Sequence, residues 1–487
     1  MNSSMTPKWA RIFSQICRRT AGAGALSVLP GLACAAVIIQ NVTVVDTLTG
    51  DETPNMSIVI EGNLIAAVSP SDKTTGAASD VIIDGSGLFA VPGYNDMHSH
   101  ALTSGDSATN LRVMLANGVT GYRQMSSAAE LLAGFGDKRG VAEGPDLLAL
   151  SGAILTGGNV RTPEQAVEEI AAQKAAGADF IKILVENPQV FVAALDAAEA
   201  LEIPIAGHFP PSVSAETAAA HGMDTMEHLG PRESLLLSAS SQEDELRTLI
   251  ANAPPPPPPS APPTPAFYER LIANPIPSTS PQQFASMFAM ADSYDTDKAA
   301  TLARMLKEHN VWQVPTLIRL RTMNHGDDPH YSEDPNLVFV TDEQRALWQS
   351  IAAGFAASLP EGAKVELDRM YDAQMKLTLQ MAQEGVPMLA GSDYGGQWLV
   401  PGFSLHQEFA ELAKAGLTPL QILQMTTLNA GQFLDRDMGQ IAAGMAADLV
   451  LLSADPLADV ANLNQIEGVV ESGTYLDRAA LDALLVH

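Results

Sequence analysis

From residue 88 onward the chain alternates short apolar runs with alanine-rich stretches, and this alternation narrows the possible folds more than any other feature. The apolar runs are LFAVPGYND (88–96), GVTGYRQM (118–125), DLLALSGAIL (146–155), DFIKILVE (179–186), IPIAGHF (203–209), MDTMEHL (223–229), VWQVPTLI (311–318) and VPMLAGSDY (386–394). Stretches such as TPEQAVEEIAAQKAAGA lie between them and have helical character. Strands joined through helices run parallel, so eight strand–helix repeats predict an α/β fold built on a closed (β/α)8 TIM barrel. A doubly wound open sheet is the competitor, but no G-x-G-x-x-G follows the first strand.

Both ends of the chain read differently. AVIIQNVTVVD (36–46), NMSIVIEGNLIAAVSP (55–70), MGQIAAGMAADLVLLSADP (438–456) and IEGVVESGTYLD (466–477) are β-rich runs parted by turn residues. They predict a small β-sandwich domain made from residues 36–91 and 432–487, with the barrel at 92–431. That barrel segment has 340 residues, against about 250 for a typical barrel. The excess falls at 229–310, which contains PPPPPPSAPPTP (254–265). Polyproline makes an extended, stiff connector. The insertion is expected to be either a solvated loop or a lid on the face where barrel active sites lie.

Residues 1–35 read as a secretory signal peptide. Lys8, Arg11, Arg18 and Arg19 precede the small-residue run TAGAGALSVLPGLACA, which ends in Ala33-Cys34-Ala35. The run falls short of the ~20 apolar residues a membrane span needs, so a secreted or periplasmic location with no span in the mature chain is expected. Cleavage would remove Cys17 and Cys34, leaving no disulfide and no thiolate ligand. It would also move the net charge from −29 to −33, because four basic and no acidic residues depart. So acidic a surface repels nucleic acid and excludes that class of function. The remaining partners are a small-molecule substrate and, as an open alternative, further copies of the chain.

A catalytic barrel carries its reactive groups at the C-terminal ends of its strands. His98 and His100 follow the first predicted strand, in YNDMHSHAL; His208 ends the fifth, His228 the sixth and Asp393 the eighth. Each alone could be a hydrogen-bonded core histidine or a turn aspartate, but together they mark one end of one sheet. Imidazole and carboxylate suit zinc and its neighbours. Lys182 lies in FIKILV, apolar on both sides. An ammonium there either reaches solvent at the strand end or stays neutral. A neutral amine can add carbon dioxide, and the resulting carbamate is an anion able to bridge two metals. No G-x-S-x-G and no mature cysteine offers a nucleophile instead. Among the other histidines, His221 reads as structural. His309, His325 and His330 are rim candidates, and His406 belongs to a helix surface or to the support of a ligand.

DMHSH, FIKIL, AGHF, MEHL and AGSDY, in that order, resemble the amidohydrolase superfamily in its imidazolonepropionase- and prolidase-like branch. The tail LTPLQILQMTTLNAGQFL…GQIAAGMAADLVLLSADPL resembles the same branch. The likeness covers about residues 37–485 and is weakest in the proline-rich insertion. It implies two divalent ions, zinc being the first choice, with His98, His100 and Asp393 on the more buried ion and His208 and His228 on the other. Lys182 as N6-carboxylysine would bridge them together with a hydroxide, and Asp393 would carry the proton from that hydroxide to the leaving amine. The implied reaction is cleavage of a C–N bond, amide or peptide, in dipeptides or N-acyl amino acids. Such substrates carry a carboxylate, which arginine grips bidentately. Arg232, Arg319 and Arg321 are therefore candidates for substrate binding, with Tyr394 beside them. A lactonase or phosphotriesterase on the same site is one alternative. A non-enzymatic periplasmic binding protein is the other, and the presence of Asp393 speaks against it.

Overall fold

A computed structural model describes residues 35–135, 144–230, 234–252 and 264–486. The signal segment up to residue 34, Arg232 and most of the polyproline run lie outside the described residues.

The two chain ends do meet. Strands β1 (Val37–Val45), β2 (Glu52–Glu61), β3 (Leu64–Pro70), β4 (Val81–Asp84) and β5 (Phe89–Pro92) join three late strands, β14 (Leu449–Leu452), β15 (Ile466–Glu471) and β16 (Thr474–Asp477). They form one eight-stranded sheet in the order β16-β15-β14-β5-β1-β2-β3, with β4 also on β1. The pairings thus run through a single sheet where a sandwich of two layers was expected. Its central strands are apolar on both faces because both are covered. Ala90, Leu449 and Leu451 pack with Ile39, Ile58 and Val470 in the sheet's own core. Their neighbours Val91, Val450 and Leu452 point the other way, into the main core.

The eight remaining strands are parallel and fall into two sheets. β6 (Tyr94–Ser99), β7 (Val119–Gln124) and β8 (Asp146–Leu150) form one. β9 (Leu155–Thr156), β10 (Ile181–Leu184), β11 (Ile205–His208), β12 (Thr225–Glu227) and β13 (Trp312–Val314) form the other. Every residue of β6 and β7 is buried. A single parallel bridge, Ser151 to Phe180, joins β8's exit to β10's entry.

Three expected strands differ. The run 146–155 divides into β8 and β9, which lie in different sheets. The run 386–394 makes only isolated parallel bridges, Met388 to Gln313 and Tyr394 to Ser99 and to Gly396, and the Met97 amide donates to the Ala390 carbonyl at 2.9 Å. The run 311–318 stops at Val314; Thr316 takes a left-handed conformation (φ 45°) and starts a helix, Leu317–Asn324.

The described part of the insertion is helical; the polyproline run, for which a solvated loop was expected, lies mostly outside it. The described part contains helices Ser234–Ser238, Glu243–Ala251, Pro265–Ala273, Pro281–Asp292 and Thr296–Glu308. Ser280 and Gln283 cap the fourth reciprocally, and this helix sinks Phe284, Met287 and Met290 into the main core. Among the described residues no helix is long and apolar enough to cross a membrane.

Candidate metal centre

His98 and His100 share one side of the chain leaving β6, as residues two apart on an extended strand must. His98 is fully buried. Its Nδ1 lies 2.6 Å from Glu227 Oε2, while Nε2 faces Asp393 Oδ1 at 3.3 Å without a hydrogen bond. The other Glu227 oxygen accepts from Arg123 Nη2 and from Thr225 Oγ1, both at 2.8 Å. Arg123 in turn donates Nε to the Met97 carbonyl at 2.6 Å and stands 5.4 Å from the ring centres of Phe180 and Phe433. Burial would push the Glu227 carboxyl up, but Arg123 and His98 outweigh it and hold it well below the usual range. An anion so placed fixes the His98 ring and leaves Nε2 as the nitrogen available to a ligand.

Hydroxyls play the same part for two other histidines. His100 Nδ1 lies 2.8 Å from Ser126 Oγ, and Nε2 is 3.4 Å from Asp393 Oδ1. His228 Nδ1 lies 2.6 Å from Thr316 Oγ1, and Nε2 is 3.7 Å from Asp393 Oδ2. The His228 ring stands 4.4 Å from that of His98 and 4.9 Å from that of His208. His228 (φ 56°), Thr316 (φ 45°) and Asp393 (φ 53°) all have left-handed backbone. Such strain in non-glycine residues gathers at functional sites. Asp393 is locked in place by its own amide, which donates to the His98 carbonyl at 2.8 Å.

His208 makes no hydrogen bond through either ring nitrogen. Lys182 Nζ, on a side chain 3% exposed, makes none either. Burial lowers the Lys182 amine to about 8, against the pull of Glu227 and Asp393, whose charges reach it. The lysine is therefore a buried amine without a hydrogen bond, on the strand paired with that of His208. Burial also holds His100 below its ordinary value, and His208 and His228 well below, so that their rings are neutral at neutral pH. Burial acts on Asp393 in the opposite sense, but His228 and His98 keep its carboxyl well below the ordinary range.

The donor set suits a divalent cation. His98, His100 and Asp393 each offer a ligand atom within 4.8 Å of the others. Buried polar nitrogens are nearly always hydrogen-bonded; His98 Nε2, both nitrogens of His208 and Lys182 Nζ are not. All are electron-pair donors when deprotonated; His98 Nε2 faces the Asp393 carboxylate, and the His208 ring stands beside that of His228.

The expected substrate contacts are placed otherwise. Arg319, 6% exposed, spends its guanidinium on Asp393 Oδ2 (3.0 Å from Nε) and on the carbonyls of Ala273 and Ile272 (2.6 Å each), so it presents no free fork to a substrate. Arg321 pairs with His325 Nε2 at 2.7 Å and lies over the Tyr371 ring. The Tyr394 hydroxyl is buried and donates to Asn110 Oδ1 at 2.9 Å. His406 is half-buried on helix Phe403–Ala415, with Nε2 2.9 Å from the Asn117 carbonyl. His221 pairs with Asp196, as a structural residue would. Sequence reasoning passed over Glu227, Arg123, Ser126 and Thr316. The signal for the first two is a charge inside an apolar strand; the two hydroxyls carried none.

A family model described as the amidohydrolase family matches residues 89–476. The chain belongs to the amidohydrolase family. As a member it is a hydrolase acting on carbon–nitrogen bonds. Imidazolonepropionase from Caldanaerobacter subterraneus subsp. tengcongensis is 23% identical over 428 residues, 84% of this amidohydrolase and 86% of that enzyme. A stretch of 88 residues is 33% identical to adenine deaminase from Rubrobacter xylanophilus, but spans only 18% of this chain and 14% of the deaminase. Among solved structures, bottromycin amidohydrolase superposes with a TM-score of 0.65 at 24% identity, covering 92% of this chain and 88% of that one. A Xaa-Pro dipeptidase superposes at 0.58 with 18% identity, over 91% and 100%. At these identities the superpositions speak for the fold alone.

Proposed function

We propose that this amidohydrolase holds two divalent ions, zinc in the first instance, and cleaves the amide bond of a dipeptide or N-acyl amino acid. One observation carries the reading: buried nitrogens without hydrogen bonds recur on β6, β10 and β11, and the Asp393 carboxylate faces His98, His100 and His228 beside them. His98, His100 and Asp393 would hold one ion and His208 and His228 the other, with Lys182, carboxylated on Nζ, between them. A lysine amine lowered to about 8 has a neutral fraction at neutral pH that can add carbon dioxide. Bound there, the ions would supply a water of lowered pKa and polarise the scissile carbonyl. Asp393, ionised at neutral pH and facing three of the histidines, is positioned to take a proton from the attacking water and pass it to the leaving nitrogen. Glu227, Ser126 and Thr316 keep the imidazoles aimed. With Arg319 and Arg321 engaged, Arg232, four residues beyond His228, is the arginine left to grip a substrate carboxylate.

The same reading takes the two parallel sheets as arcs of one (β/α)8 barrel, supported by the bridges Ser151–Phe180, Gln313–Met388 and Ser99–Tyr394. It takes the eight-stranded sheet as bent over into a small sandwich. Export with removal of residues 1–35 follows from the basic and small-residue pattern of that segment. Amino-terminal sequencing of protein recovered from the periplasm would then begin at Ala36.

The test couples metal content to a substrate panel of dipeptides, N-acyl amino acids, lactones and phosphotriesters. Hydrolysis of amides that rises and falls with bound metal is expected. Turnover of lactones or phosphotriesters alone would replace the amide reading. Metal binding with no turnover at all would leave a binding protein.

A further inference from the structure

Arg319 sits on the helix that follows β13, yet its guanidinium joins two parts of the molecule that this helix does not contain. Nε lies 3.0 Å from Asp393 Oδ2. Nη1 and Nη2 donate to Ala273 and Ile272 at 2.6 Å, the last carbonyls of helix Pro265–Ala273 in the insertion. Helix-terminal carbonyls lack intrahelical partners and carry the negative end of the helix dipole, so they stabilise a buried cation. A second contact ties the same helix end to the Asp393 loop: the Gln397 amide also donates to the Ala273 carbonyl, at 2.9 Å, and Asn274 Nδ2 donates to Gln397 Oε1 at 2.7 Å.

The loop after Asp393 is shaped around this guanidinium. A Cβ on Gly396 would stand 2.3 Å from Arg319 Nη1 and 2.6 Å from Cζ. Only a glycine there lets the fork lie flat against the backbone. Lysine could not replace it, because an ammonium is a point charge and cannot reach three acceptors set along a planar fork.

We propose that Arg319 is a positioning residue that clamps Asp393 to the helical insertion. By holding Oδ2 it turns Oδ1 towards His98 and His100, and it makes the insertion an integral wall of the centre instead of a movable lid. The proposal rests on the reading of this cluster as a metal centre.

Three variants of the full-length protein test it: Arg319→Ala, Arg319→Lys and Gly396→Ala. Gly396→Ala keeps the guanidinium but pushes it aside, and its obstacle is a side chain and not backbone, so the fold should survive with a lowered melting temperature. The readouts are cobalt(II) affinity of the metal-stripped protein by chelator competition, the cobalt absorption spectrum, and kcat and KM on the substrate the panel identifies. Partners that orient a ligand are worth about 10- to 100-fold in metal affinity, so all three variants should weaken cobalt binding by that order and shift its absorption. A misplaced carboxylate should lower kcat about 100-fold, with KM little changed. Added guanidinium ion should restore part of the kcat of Arg319→Ala but none of that of Gly396→Ala, where the space is filled. Folded variants with wild-type cobalt affinity, spectrum and kcat would overturn the clamp. If Arg319→Ala does not fold, Gly396→Ala decides the question alone. A wild-type protein that binds no cobalt overturns the metal-centre reading itself, which is a different result.

Discussion

His98 and Glu227, 129 positions apart in the chain, meet at 2.6 Å with neither side chain exposed to solvent. The contact joins the first strand of one parallel sheet to β12 of the other. It also sets the direction of the His98 ring, since the glutamate is in turn held by Arg123 and Thr225.

Removing that glutamate should therefore damage both function and fold. Glu227→Ala leaves the buried Arg123 guanidinium without its counter-charge, a loss of about 3–5 kcal/mol. Glu227→Gln keeps the shape and should instead weaken metal binding about 10- to 100-fold. Denaturant unfolding of the first and metal titration of the second check the pair.

The hydroxyl partners predict a milder pattern. Ser126→Ala and Thr316→Val each release one imidazole, of His100 and His228 respectively. About a tenfold loss of metal affinity is expected from each, with stability changed by no more than about 1 kcal/mol. Chelator competition and thermal melts measure both.

Lys182→Ala should lose bound metal and activity together. If a carboxylated lysine is what bridges, short carboxylic acids such as acetate or formate should return part of both, whereas chloride should not. Metal analysis of the variant dialysed against each anion distinguishes the two.

Gly207, beside His208, should tolerate no side chain. Its φ is 143°, and a Cβ would stand 2.2 Å from the Ile183 carbonyl oxygen on the neighbouring strand β10. Backbone cannot retreat as a side-chain end can, so Gly207→Ala should cost about 3 kcal/mol and displace His208. A lowered unfolding midpoint together with reduced metal content is the expected result.

Glu408 offers a pH signature away from the metal ligands. It is fully buried, its Oε2 accepts from the Ile318 amide at 2.7 Å, and burial pushes its carboxyl up to about 8. Unfolded, the group titrates at its ordinary 4.5. The folded state thus binds the extra proton between these values, so its contribution to stability is intact below 4.5 and is lost as pH rises through 8. The loss proceeds at no more than about 1.4 kcal/mol per pH unit. Glu408→Gln should flatten the fall in wild-type stability between pH 5 and pH 8, as read from denaturant midpoints.

Several features of this protein were legible before any coordinates. Burial and periodicity are local properties, so runs such as FIKILV and GVTGYRQM announced parallel strands, and β-rich ends announced a shared sheet. His98, His100, Lys182, His208, His228 and Asp393 stood out because each is a polar group where an apolar run ends or should have continued. What only the tertiary structure decided is which side chain faces which. Arg319 has the composition of a substrate-binding residue, and nothing near it in the chain reveals that carbonyls 46 and 47 positions earlier consume its fork. The run 386–394 has strand composition, yet it makes only isolated bridges, and its backbone turns left-handed at Asp393. Nothing in the sequence of the insertion showed that its helix Pro281–Asp292 would bury Phe284 and Met287. Residue type and spacing record how much a position is buried; partners across a hundred residues depend on register and strand order, which are settled only when the whole chain packs.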